Sequence, residues 1–146
     1  MIKRDRAARL AWSAGCAFYL AHVAAAFEFR HSWSHAAAYA ETARQTLDVF
    51  GVDWGGGLYF NYLFTLIWTA DAVYWWLAGL DRYRARSRWV ARPVQWFFAF
   101  MFFNATIVFG SGTAQWLGAA SILVLTLLAA SRSRRFRVRS SEIRTR

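Results

Sequence analysis

Charged residues fall in clusters along this chain, and long apolar runs separate the clusters. Residues 93–131 are thirty-nine consecutive residues without a charge. A single helix that long would run on the order of 58 Å, about twice the hydrocarbon core of a bilayer. The run therefore predicts two spans, with Gly110, Ser111, Gly112 and Thr113 at the turn. Residues 10–27 also carry no charge, and residues 56–80 carry only Asp71. The pattern predicts four spans at approximately 10–29, 56–80, 91–109 and 114–130, each near the ~20 residues that cross a bilayer. Each must be helical, because an open strand in lipid leaves backbone groups unpaired. The fold class expected is all-α, a four-helix transmembrane bundle in a single domain.

The basic residues set the orientation. Lys3, Arg4, Arg6 and Arg9 precede the first span, and Arg82, Arg84, Arg86, Arg88 and Arg92 separate the second from the third. The tail, residues 131–146, adds seven more arginines. Only Arg30 and Arg44 fall on the other side, so the split is sixteen to two. The positive-inside rule then places both termini in the cytoplasm (N-in, C-in). Trp12, Trp75, Trp76, Trp89 and Trp96 fall near the inner interface, and Trp33, Trp54 and Trp116 near the outer one, as an aromatic belt requires. The net charge of +10 thus reads as anchoring of the basic loop and tail on anionic lipid. Nucleic acid is not the expected partner, since the tail carries one aromatic residue, Phe136. Seventeen of the eighteen basic residues are Arg, which points to a GC-rich bacterial genome and so to the cytoplasmic (inner) membrane. The lone Cys16 excludes a disulfide framework within the chain. A basic start, an apolar run and Ala24, Ala25 and Ala26 also resemble a cleavable signal peptide; cleavage would leave the other spans in the same orientation.

Residues 30–55 form the largest extramembrane piece, too small for a core of its own. Ser34 can cap a helix start, and Tyr39, Ala43, Leu47 and Phe50 recur at helical spacing. Gly51 is a natural stop, and Gly55, Gly56 and Gly57 let the chain turn into the second span. A short amphipathic helix on the outer surface is predicted, either a connector or a lid over a site between the spans.

Ionisable residues inside a membrane are costly and need a partner or a purpose. Asp71 lies about nine residues, or roughly 13 Å, from the cytoplasmic end of the second span. His22 lies roughly 18 Å deep from the same side, so the two can meet if their helices pack. The pair is either a buried polar contact that fixes packing, a proton-handling pair, or, through His22, a haem ligand. Asn61 and Asn104 are candidates for hydrogen bonds between helices. At the outer rim Glu28, His31 and His35 are spaced three and four apart. On one continuous helix they would share a face and form a half-site for zinc or iron, which Asp53 or Glu41 could complete. Ser32, Trp33 and Ser34 are a potential helix break that would spoil that face. The plain alternative is a set of interfacial polar residues.

The chain has no P-loop, dinucleotide fingerprint, CxxC or GxSxG, so no catalytic constellation is assigned. The expected function is a non-catalytic, membrane-embedded interaction or accessory subunit, acting as a homo-oligomer or within a larger membrane complex. The alternative is a redox or enzyme component holding haem or quinone in the bundle, or zinc or iron at its rim. A small oligomeric transporter with Asp71 as its coupling residue is the third reading.

Overall fold

The computed structural model describes residues 2–109 of the chain, and among them every regular element is helical. There are four α-helices: α1 (Ile2–Ala26), α2 (His35–Phe50), α3 (Gly57–Ala85) and α4 (Arg88–Phe103). Two π-helical turns, Phe27–His31 and Asn104–Val108, extend α1 and α4. Two helical stretches, Asp5–His31 and Gly57–Ala85, are long and apolar enough to cross a membrane. The third expected span is a sixteen-residue α-helix, α4, continued by its π-helical turn. The turn at residues 110–113, the fourth span at 114–130 and the basic tail lie outside the described residues.

The chain divides into two units at Met101 and Phe102. In the second, the described residues are 102–109, where the Thr106 hydroxyl donates to the Phe102 carbonyl at 2.7 Å and the π turn closes on Asn104. The first unit is organised around an antiparallel pairing of α1 with α3. Polar ties run along that seam: Arg84 to Asp5 at 2.7 Å, Trp76 to Ser13 at 2.8 Å, Trp12 to Asp71 at 3.0 Å and Tyr19 to Thr65 at 3.1 Å. Such ties would matter most in lipid, whose tails are as apolar as leucine, because burial alone would not hold two helices together there. Between the ties lies a cluster of rings. Trp68 packs on Trp12, Tyr19, Phe64 and the α4 residue Phe98, with centroids 5.2–5.6 Å apart. Aromatic pairs of this kind contribute ~0.5–1.5 kcal/mol each. Gly15 makes the close approach possible, since a Cβ there would sit 3.1 Å from the Trp68 ring.

The pairing puts the two ends of the hairpin to different uses. The start of α1 and the end of α3 form an arginine-rich end, where Arg9 also lies over the Trp76 ring at 3.9 Å. The opposite end carries α2. Ser34 caps α2 as expected, accepting from the Ala37 amide at 3.2 Å. Gly51 stops it in the left-handed conformation, with φ 72°. His35, Tyr39, Tyr59 and Tyr62 form a ring cluster that seats α2 on α3. Gly55 lies directly beneath the Tyr39 backbone and ring, leaving no room for a side chain. The glycines before α3 thus serve close packing as well as the turn.

Candidate functional site

α3 is not one straight rod. Gly79 has φ 76° and ψ 172°, a conformation open essentially to glycine alone. On a straight helix Tyr83 would lie roughly 12 Å beyond Trp75 along the axis. Instead the two rings stack at 4.2 Å, 6° from parallel. The break at Gly79 therefore turns the chain back on itself, and this reversal builds the site.

Asp71 is the residue it is built around. The carboxylate is almost fully buried, with 7% of its side chain exposed. The Trp12 indole N–H donates to Oδ2 at 3.0 Å, and the Tyr83 hydroxyl donates to the same oxygen at 2.8 Å. The Arg86 guanidinium forms an ion pair with Oδ1. Arg86 is itself largely buried and lies over the Tyr83 ring at 4.3 Å. Both carboxylate oxygens are thus engaged, and the one acidic charge of the apolar run 56–80 is neutralised within the hairpin. Asp71 is tied to a residue from α1, one from beyond the break, and one from the end of α3.

The structure does not join His22 to Asp71. The register that sets Trp12 beside Asp71 places His22 ten residues further along α1, roughly 15 Å away. His22 is exposed on α1. The depth argument took the second span as straight to Leu80, whereas Gly79 ends its run and brings Arg86 back to the acid. Three partners were missed. Trp12 read as a belt anchor and Arg86 as a basic residue between two spans, and Tyr83 had no assignment. The signal that could have found them is Gly79 standing just before the charged run that begins at Asp81.

The outer-rim residues are not gathered either. The α1 rod ends at His31, and Ser32 and Trp33 both adopt positive φ, 47° and 56°, so no continuous helical face exists. Glu28 accepts from the Trp33 indole at 2.7 Å. His35 starts α2 and bonds through Nδ1 to the Tyr62 hydroxyl at 3.0 Å. His31 packs edge-on to Phe27, and Asp53 is exposed in the link between α2 and α3. Among the described residues no three His, Cys, Asp or Glu side chains are arranged to hold a metal ion.

Asn61 joins α1 to α3 through its backbone, its carbonyl accepting from Tyr19 at 3.3 Å. Asn104 opens the second π turn, its carbonyl accepting from the Phe109 amide at 2.9 Å. On α2, Arg44 bridges Glu41 and Asp48 at 2.8 and 3.0 Å. Hydrogen bonds from Arg44 and Gln45 hold the Glu41 carboxyl down at about 2, and Glu41 in turn raises Arg44.

Compared with known proteins, the chain matches no family model, no curated sequence and no solved structure.

Proposed function

We propose that this chain is a four-span integral protein of a bacterial cytoplasmic membrane, with both termini inside, and that it acts as a non-catalytic interaction or accessory subunit. The observation that carries the reading is the state of Asp71. A coupling or catalytic acid must reach substrate, ion or water. This one is closed off by Trp12, Tyr83 and Arg86 and serves to lock the end of a hairpin. The arrangement supports a rigid scaffold whose outward surface does the work. That surface is apolar: Leu66, Leu77, Trp89 and Trp96 are 66–88% exposed, suited to lipid and to neighbouring spans. The pairing also supports the topology, because it brings the basic start of α1 and the basic end of α3 to one end of the hairpin. By the same logic the basic loop and tail meet anionic lipid.

One observation favours a second reading, a quinone-binding redox component. The Trp68 Nε1–H is buried and has no hydrogen-bond partner among the described residues. It stands amid the rings of Trp12, Tyr19, Phe64 and Phe98, where a carbonyl acceptor with an aromatic face would be well received.

Purification in mild detergent from a chromosomally tagged strain tests the choice. The subunit reading expects a colourless, metal-free protein that carries a second membrane protein in constant ratio. Stoichiometric quinone, haem or metal in a protein that runs alone would overturn it.

A further inference from the structure

Between Arg9 and Arg82 the chain has only two basic residues, Arg30 and Arg44, and both line the same cleft. This open cleft of about 590 Å³ lies at the end of the hairpin that carries α2. His31 and Glu41 complete its polar lining, and Ala37 and Ala40 contribute a smooth wall.

The local backbone is unusual in a way that makes the cleft. The Phe27–His31 segment is π-helical, and it is followed by Ser32 and Trp33, two successive non-glycine residues at positive φ. Wide helical turns and left-handed non-glycine residues are both disfavoured locally and are concentrated at functional positions. Here they stand between the α1 rod and α2, and Arg30 and His31 line the cleft together with Ala37, Ala40, Glu41 and Arg44 of α2.

The charges in the cleft are not balanced evenly. Arg44 is held by Glu41 and Asp48. Glu28, two residues before Arg30, accepts from the Trp33 indole and does not line the cleft. Among the described residues the ion pairs are Arg44–Glu41, Arg44–Asp48, Arg84–Asp5 and Arg86–Asp71, and none of them includes Arg30. Arg30 also feels the Glu41 carboxylate across the cleft, but at a range longer than an ion pair. The cleft therefore offers one guanidinium with its hydrogen-bond donors free, beside an imidazole that supplies a further N–H. Guanidinium donors match the oxygens of a phosphate better than any other singly charged group. Phe29 and Trp33, one residue before and three after Arg30 in the chain, are 84% and 65% exposed and add apolar surface to the same segment. A free anion would gain nothing from those side chains. An amphiphile would use both.

We propose that this cleft binds the phosphate of an outer-leaflet phospholipid, with Arg30 as its principal ligand and His31 as a second donor, while Phe29 and Trp33 lie along the acyl chains. This rests on the membrane reading above. The site is distinct from the basic loop and tail, which meet the other leaflet in that reading.

The test is native mass spectrometry of the full-length protein, stripped of lipid in detergent and then presented with phosphatidylglycerol. One tightly retained lipid is expected. Arg30→Gln should lower its affinity about tenfold, the worth of a charge-assisted contact, and Arg30→Lys by less. Arg82→Gln, at the other end of the hairpin, should leave it unchanged, and a large excess of inorganic phosphate should not displace it. Among the described residues the Arg30 side chain makes no ion pair and acts on Glu41 only at longer range, so Arg30→Gln should keep a melting temperature close to the wild type's. Equal loss in Arg30→Gln and Arg82→Gln would overturn the site. Displacement by inorganic phosphate would overturn the lipid as its source. No retained lipid from a protein that still fractionates with membranes would sink the inference and spare the reading beneath it, whereas a protein absent from membranes would sink both.

Discussion

Separating Asp71 from Arg86 should be costly, and removing both charges together should be less so. Asp71→Asn leaves a guanidinium, 16% exposed, facing a neutral amide. Breaking a buried pair from one side costs ~3–5 kcal/mol, and Arg86 lies close enough to the helix end to swing toward water, so we expect about 3. Arg86→Gln leaves a carboxylate that keeps the Trp12 and Tyr83 donors at 3.0 and 2.8 Å. Its loss should be nearer ~2 kcal/mol, the worth of a hydrogen bond to a charged group. The double variant buries no charge and keeps an oxygen for the two remaining donors. It should lose less than the sum of the singles by ~1–3 kcal/mol, as contacting residues do. The assay is thermal unfolding of the detergent-solubilised protein, followed by size-exclusion recovery and converted to free energy at a common temperature. His22→Ala serves as the control, because its position along α1 predicts additivity with Asp71→Asn within ~0.5 kcal/mol. Additive Asp71 and Arg86 variants, or coupling of Asp71 to His22 instead, would refute the reasoning.

Other consequences are smaller in scope. Gly79→Ala should destabilise by ~1–3 kcal/mol, since a Cβ is strained at that φ and ψ, and it should also erase the Asp71–Arg86 coupling by straightening α3. The same unfolding assay reads both effects. Trp68→Phe removes a buried N–H without a partner among the described residues, and on the subunit reading its melting temperature should stay level or rise; a marked fall would reveal an acceptor there. Glu41 should make α2 mildly acid-sensitive. Its folded pKa lies at about 2, below the ordinary 4.5, so its stabilising effect is present above pH 4.5 and fades as pH falls toward 2. Circular dichroism should show that loss of helix in the wild type and a flatter profile in Glu41→Gln.

What the sequence made legible was local. The caps of α2 were readable because Ser34 and Gly51 act on residues within one turn of themselves. The all-helical class followed from uncharged runs that only a helix can carry through lipid. The site was not legible, for physical reasons. Asp71 draws its donors from fifty-nine residues before it and from twelve and fifteen after it. Periodicity says nothing about pairs so far apart. Gly79 sits in an apolar run whose spacing suits a continuous helix, where a glycine costs ~1 kcal/mol whether or not the chain breaks. The outer ligand set failed at Ser32 and Trp33, where two residues that rarely take positive φ both do so.

The account stands on which side of the membrane each end of the hairpin occupies. The direct measurement is a set of fusions to a reporter that is active only outside the cytoplasm, placed after Ala43 in α2, after Ser87 between α3 and α4, and after Arg146. The account predicts activity at Ala43 and none at Ser87 or Arg146. Activity at Ser87 would separate the basic end from the cytoplasm and contradict the orientation, and activity at Arg146 would require an odd number of crossings and contradict the four spans.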